Sequence, residues 1–503
     1  MKRGENVFNF GNVMKKINHI ISEGAKTIMT DTQFLEKEIK KFKNSPKRMA
    51  MITGEKYYLG EHDILQRKRT VIGENGELQE VDNLPNNKII DNQYAKLVDQ
   101  KVNYLLGQPL TFDTDNKKYQ DELKKIFNKR FHRTLKNLGE DVLNGGIGWL
   151  HPYYNEHGEF CFKKFAPYEI LPFWADAEHT ILDMAVRIYE VEGYEGDREV
   201  IIEKVEVYDT NGIHRYELKD GVLIPDVENP SSSYMVVIDE EGKETHWNWS
   251  KVPLISFKYN NKEIPLINRV KTLQDGINTI VSDFMNNMQE DARNTILVIK
   301  NYDGTNLGEF RRNLAQYGAV KVRTVDGADG GIDTLTIEVN AENYKSILHV
   351  LKNALIENAR GFDAKDDRLN SNPNQMNIQS MYSDIDLDAN GMETEFQAAF
   401  EELLWFVNVH LANTGKGDFE DEEVTIIFNR DIMMNESEIV ENCRKSMGIL
   451  SHETIISQHP WISDVSNELE RIKEEKKSAI DEYLDSFNPV KQPYDEDGED
   501  NEE

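Results

Sequence analysis

The chain has 503 residues, 39% of them apolar and 30% charged, enough for roughly three or four core-forming domains. Its 90 Asp and Glu outnumber 59 Lys and Arg. A net charge of −31 repels nucleic acid from the chain as a whole, so any contact with it must be local or enforced by geometry. Cys161 and Cys443 are the only cysteines, which excludes a disulfide framework or a Cys-rich zinc site and fits a reducing cytoplasm. The opening MKRGENVFNFGNVMKKI is basic without a continuous apolar stretch, so secretion is not expected. No apolar run reaches the roughly 18 residues of a membrane span.

The first eighty-odd residues show no clear pattern. Ile90, Tyr94, Leu97, Lys101, Tyr104 and Leu105 then recur at helical spacing and predict a helix over 87–106, closed by Gly107 and followed by extended QPLTF. Two amphipathic helices are predicted over 117–128 and 131–144. From 148 to 259 the pattern changes to short β runs, AVRIYEVEG, REVIIEKVEVYD and YMVVIDEEGKETHWNW, punctuated by TNG, KDG and EEGK. This reads as one α+β domain with its helices first.

Pro265 is a favoured first helical residue. Leu266, Val270, Leu273, Ile277, Ile280, Phe284 and Met288 predict one continuous apolar stripe over 265–293, roughly 43 Å of helix. Residues 294–339 read as a small βαββ unit. A second rod, 341–360, carries Tyr344, Ile347, Leu348, Leu351, Leu355 and Ala359 on one face. Next comes RGFDAKDDRLNSNPNQMN, which has almost nothing to bury. A polar loop beyond roughly 12–15 residues between good helices is expected to be functional or disordered, and here the functional reading is taken.

Ile378, Met381, Ile385, Ala389, Met392, Phe396, Ala399, Leu403, Phe406 and His410 predict a helix of roughly 50 Å, ended by Gly415. EVTIIFNR reads as a strand. Three helices follow: one behind a capping box at Asn435–Glu438, a short one capped by Ser451, and a third from about Asp464. The tail YDEDGEDNEE is acidic and expected to be disordered. No internal repeat is found.

Chemical motifs are weak. DIDLDANGMETEFQ places Asp386, Asp388, Asn390 and Gly391 at EF-hand loop positions, but Gln397 stands where a bidentate Glu is needed. The helical stripe also runs straight through it, so a polar helix face is the better account. NTGKGDF lacks the frame of a phosphate-binding loop, SHETII lacks the second zinc-protease His, and no G-x-S-x-G elbow occurs. RKRT, residues 67–70, reads as a solvated basic patch. His151 and His157 are expected to be surface or interface histidines. No catalytic residue, metal or cofactor is expected.

Several stretches in order, YYLGEHDILQRKR, YAKLVDQKVNYLLGQPLTF, IKNYDGTNLGEFRRNL, GGIDTLTIEV, NTGKGDF and GILSHETIISQHPWISDVSNELERI, resemble portal proteins of tailed bacteriophages. The similarity, over about 57–475, is to the type found in siphophages of Gram-positive hosts. It implies an α+β, largely helical fold: wing 1–263, stem helix 264–293, clip 294–339, second stem helix 340–360, tunnel loop 361–377, long wing helix and strand 378–430, helical crown 431–487 and an acidic tail 488–503. It further implies a structural, non-enzymatic virion protein, a head-to-tail connector. The resemblance places a homo-dodecameric ring at one capsid vertex, assembled in the host bacterial cytoplasm and away from any membrane.

Through the ring's channel the terminase large subunit would drive double-stranded DNA, which later leaves by ejection. Head-completion or adaptor proteins, capsid and scaffold proteins are the other implied partners. By the same resemblance Lys365, Arg368, Leu369, Asn372 and Gln375 face DNA from the tunnel loop. Tyr302, Asp303, Arg311, Arg312 and Arg323 belong to the clip surface that docks the motor and adaptor. The loop departs from an obvious DNA grip, because Lys365 and Arg368 stand beside Asp366 and Asp367. The alternatives are a Mg²⁺-dependent phage DNA-processing nuclease and a monomeric structural adaptor.

Overall fold

The computed structural model describes residues 31–72, 76–82, 84–195, 197–238, 242–291, 295–300, 331–336, 341–363, 375–430, 436–462 and 465–487, with 306, 308, 312 and 316. They fall into two compact units. One holds the chain up to Phe362 plus Asp384–Asp431, and the other Asp363–Ser383 and the chain from Ile432.

The first unit opens with α1 (Asp31–Lys43) and α2 (Pro46–Tyr58), the latter capped by the Ser45 hydroxyl. A small hairpin, β1 (Thr70–Ile72) with β2 (Leu78–Glu80), precedes α3 (Gln93–Leu106). Then come β3 (Thr111–Asp113), α4 (Lys117–Ile126) and α5 (Lys129–Gly145). Asn116 and Asn128 cap the two helices, accepting N–H bonds from their first turns.

The β region supplies β4 (Ile147–Tyr154), β5 (Phe160–Phe165), β6 (Ile170–Trp174), β7 (Leu182–Glu195), β8 (Arg198–Asp209), β9 (Gly212–Lys219) and β10 (Val222–Pro225). It continues through β11 (Ser231–Ser232), β12 (Met235–Ile238), β13 (Glu244–Trp247) and β14 (Ile255–Lys258). One antiparallel sheet has the order β10-β9-β8-β7-β6, with β11 on β9, and another the order β14-β4-β5. Leu35, Ile39 and Phe42 of α1 cover Met184, Val186, Val205 and Val207 of the first sheet. Met51 of α2 packs with Trp149, Phe165, Tyr208 and Leu254 in a second core.

Two rods follow, α6 (Ile267–Asp291) and α7 (Ala341–Asn358), separated in sequence by β15 (Thr295–Lys300) and β16 (Gly331–Thr336), which pair antiparallel. The long helix α8 (Gln375–Asn413) buries its predicted stripe from Met381 to His410. Phe396 and Phe400 lie edge-on to Phe257, with ring centroids 5.0 and 5.4 Å away. β17 (Thr425–Ile427) returns to pair with β3. In the second unit, α9 (Glu436–Ser446) precedes α10 (His452–Ser457), capped by Ser451 as predicted, and α11 (Val465–Phe487).

Four expectations change. The helix predicted from residue 87 begins at Gln93, capped by Asn92, because residues 87–91 run extended along α6. There the backbone N–H groups of Asn87, Ile89, Asp91 and Tyr94 donate to Asn286 (2.7 Å), Ser282 (3.0 Å), Asn278 (3.1 Å) and Gln274 (3.0 Å). These four side chains recur every fourth residue of α6, and all are fully buried. The apolar stripe predicted for α6 therefore runs beside a polar seam and is unevenly covered. Leu266, Val270 and Ile277 are buried, but Leu273, Ile280 and Phe284 are only half-buried and Met288 is 51% exposed. An extended backbone offers unpaired N–H and C=O groups, so the helix face that best covers it is polar.

His151, expected near the surface or an interface, is only 2% exposed and hydrogen-bonds the Pro253 carbonyl at 2.5 Å. Burial pushes its pKa down to about 3, so it is a neutral core residue. Lastly, the predicted loop is shorter than 361–377, since helical backbone resumes at Gln375. Arg67 and Lys68 of the basic patch pair with Asp283 at 2.6 Å and Glu80 at 2.7 Å. Gly308, Arg312 and Gln316 have helical backbone where a short helix is predicted. The strand predicted from AVKVRTV, the cap residue Asn435 and the acidic tail lie outside the described residues.

Replacing Asn278 by Leu orphans the Asp91 N–H and the His62 ring nitrogen 2.7 Å away. The expected loss is about 1–3 kcal/mol of stability. Urea unfolding, compared with the exposed control Thr272→Ala, measures it.

Candidate functional site: the anchors of the polar loop

The C-terminus of α7 reverses direction through Arg360, whose φ of 51° is left-handed. The Gly361 N–H reaches back to the Ile356 carbonyl at 2.8 Å, a Schellman-type closure. Gly361 packs closely on α3: a Cβ there would lie 2.3 Å from Leu97 Cδ2, so a larger residue needs the Leu97 side chain to shift. Phe362 is buried, and its backbone is held at both atoms. Its N–H donates to Gln100 Oε1 at 2.9 Å, and its carbonyl accepts from Gln100 Nε2 at 2.7 Å.

One turn of α3 holds both sides of the loop. Lys101 Nζ donates to the Arg360 carbonyl at 3.0 Å and to Asp388 of α8 at 2.7 Å. Asp388 also accepts from the Tyr259 hydroxyl at 2.6 Å and from Arg269 at 3.1 Å. A further turn along α3, Tyr104 donates to Asp386, which Arg430 contacts at 3.1 Å. Arg430 also reaches Asn390 at 2.6 Å and Glu393 at 2.5 Å.

Burial alone would raise the Asp388 carboxyl, but the Lys101 ammonium, Tyr259 and Arg269 outweigh it and hold it below the usual carboxylate range. Burial also lowers the Lys101 pKa, with Asp388 opposing that shift. Lys101 stood in the sequence as one member of an apolar helix stripe. A lone lysine on a buried face was the available signal, and its partner 287 positions away was not legible.

The resemblance-derived residues are placed only in part. Lys365, Arg368, Leu369 and Asn372 of the loop, and Tyr302, Asp303, Arg311 and Arg323 of the clip, lie outside the described residues. Gln375 opens α8, and Arg312 is exposed with helical backbone. Asp386 and Asp388 lie within continuous helix, against cations, as the polar-face reading of the EF-hand decoy requires. Among the described residues no group of three or more His, Cys, Asp or Glu could hold a metal ion.

Near the rods a different feature stands out. Phe284 meets Tyr344 at 5.0 Å between ring centroids, and Asn287 donates to the Tyr344 hydroxyl at 2.7 Å. Beside this contact Met285, Met288, Ile347 and Val350 remain exposed, Val350 by 64%.

A separate cleft of about 1340 Å³ is lined by Lys47, Lys251, Lys258, Glu263 and Glu402 among others. Burial pushes Glu402 up to about 7, with Lys251 and Lys258 opposing. Glu263 is ion-paired to Lys47 and, at 2.7 Å, hydrogen-bonded to His179.

Removing one partner of a buried ion pair strands the other, so Lys101→Met is expected to cost about 3–5 kcal/mol in thermal or urea unfolding. The pH dependence follows from the depressed Asp388 pKa. Its stabilisation is complete above the unfolded carboxylate value of about 3.9 and is lost as pH falls through the folded value. The stability gap between wild type and Asp388→Asn should therefore be wide at neutral pH, begin to narrow only below about pH 4, and close as pH falls through the lower folded value.

The comparisons with known proteins agree over nearly the whole chain. The profile of the family described as "Phage portal protein, SPP1 Gp6-like" matches residues 27–482. The portal protein of Bacillus phage SPP1 is 31% identical over 465 residues, covering 92% of this chain and 90% of that protein. The portal protein of Clostridium phage phiCD119 is 27% identical over 457 residues, covering 88% and 96%. This chain belongs to the SPP1 Gp6-like family of phage portal proteins.

Proposed function

We propose that the chain closes into a ring of identical subunits, twelve in the virion, at one capsid vertex, with an axial channel for double-stranded DNA. The terminase large subunit drives the genome inward through the channel, and ejection later reverses the flow. In this reading α6 and α7 are the stem, and the segment around β15 and β16 is the clip that docks the motor and then a head-completion or adaptor protein. The first unit's sheets and α8 form the wing. Helices α9 to α11 form the crown, and residues 361–374 the tunnel loop. Capsid and scaffold proteins meet the assembled ring, which forms in the host cytoplasm. The protein positions DNA and partners and carries out no reaction.

The observation that carries the ring is the row Met285, Met288, Ile347 and Val350, left in solvent along paired rods. An apolar row of this kind finds cover between copies related by rotation. A monomeric adaptor leaves it bare, and the nuclease alternative is not favoured by the family.

Charge suits the channel. Twelve copies at −31 each carry roughly −370 charges, which opposes adhesion of a duplex bearing one phosphate per about 1.7 Å. The loop's anchors fit the same role. Lys101 and Gln100 fix where it leaves α7, so the polar segment between the anchors can contact a passing duplex without loosening the rods.

Negative-stain microscopy and native mass spectrometry should show closed rings. A monomer at all concentrations would overturn the reading. Met288→Asp combined with Ile347→Asp should shift rings towards monomers while leaving the far-UV circular dichroism unchanged. Shortening residues 363–375 should preserve rings yet impair DNA packaging in a complementation assay, and unimpaired packaging would remove the loop's assigned role.

A further inference from the structure

We propose a second contact between neighbouring copies, away from the rods. The acidic tip of the β7–β8 hairpin of one copy seats in the aromatic pocket beside the basic face of α4 and α5 of the next. It rests on the ring reading above.

The basic face is an anomaly in this chain. Residues 117–136 hold eight Lys and Arg against two acids, within a protein of net charge −31. Lys117, Lys124, Lys129, Arg130 and Arg133 are exposed. Lys125 pairs with Glu122 at 2.7 Å, but those five make no ion pair among the described residues. The amino end of α5, with its helix dipole, adds positive potential at the same place. Beside it lies a cavity of about 300 Å³ whose wall combines Phe131, Phe160, Phe162, Ile126 and Cys161 with the polar Asn128, Arg130, Thr134 and a single acid, Glu159. One aromatic side chain flanked by carboxylates matches that combination.

The chain itself presents such a group. β6 pairs with β7 only up to Arg187, and β9 pairs with β8 only from Lys204, so the hairpin beyond them is a bare two-stranded ribbon. Such a ribbon is marginal without cover. It nonetheless exposes Tyr194 by 74% and Ile201 by 69%. Residues 190–199 carry five acids and one base.

Tyr194 is exposed in the same subunit whose pocket is open, so the match is made between copies, head to tail, as a closed ring requires. The competing occupant of the basic face is duplex DNA. Two observations favour protein: the aromatic lining, and the location. α4 packs on the far end of α8 through Tyr119 and Asn408 at 2.6 Å, roughly 30 Å along the helix from the Asp388 anchor at about 1.5 Å per residue.

The native Cys161 in the pocket supplies the test. Full-length rings carrying Tyr194→Cys, treated with a short thiol-specific crosslinker, should give a ladder of covalent oligomers on denaturing gels. The ladder should vanish when Cys161→Ser is added. Intact rings on micrographs that give only monomer bands would overturn the contact while sparing the ring itself. Loss of rings in the wild type would overturn both. In parallel, the combined change Lys129→Glu, Arg130→Glu and Arg133→Glu should lower the salt concentration at which rings dissociate, and adding Glu192→Lys with Glu199→Lys should restore it. If the charge reversal leaves ring stability unchanged but abolishes a duplex mobility shift, the basic face is a nucleic-acid surface and the proposal fails.

Discussion

The Lys101 ammonium and the Asp388 carboxylate are both nearly excluded from water, and much of the first unit is arranged around that pair. Desolvating two opposite charges is expensive unless the remaining donors and lone pairs are satisfied. Here the ammonium also meets the Arg360 carbonyl, and the carboxylate meets Tyr259 and Arg269. These groups come from α3, α6, α8, the strand end at Tyr259 and the turn after α7. A displacement of any one leaves a buried charge incompletely paired, so the pair specifies a single relative placement of these elements. A packed apolar contact of equal size would tolerate more sliding.

The same logic recurs along α6. An extended segment with no sheet to join needs partners for its N–H groups, and the ladder Gln274, Asn278, Ser282 and Asn286 supplies them at one residue per helical turn. Two residues of strand rise about 6.6 Å and four of helix about 6 Å, so the two spacings stay in step over several turns. This gives α6 a seam of buried polar side chains and, near its C-terminal end, the exposed Met285 and Met288. The seam holds the rod to its own subunit, and in the proposed ring the exposed methionines would meet another.

The acidic balance and the basic face on α4 and α5 describe a molecule whose charge is unevenly distributed. Uniform negative charge would oppose the assembly of identical copies as much as it opposes DNA. In the proposed ring, cations on one face and carboxylates on an exposed hairpin would let copies attract at defined places while the remainder stays repulsive.

The buried stripe of α8, the caps at Asn116, Asn128 and Ser451 and the β character of 148–259 were all legible along the chain, because period, cap chemistry and turn residues are local properties. Family membership was legible too, through the order of several short stretches, and the profile match bears it out. The late start of α3, the polar seam on α6, the burial of His151 and the role of Lys101 were not. Each depends on a partner roughly 100 to 300 positions away, and single-chain periodicity scores a buried Asn or Lys as a flaw in the stripe. Whether a polar side chain faces water or a waiting backbone N–H is settled by what packs opposite it, and that is known once the chain has folded.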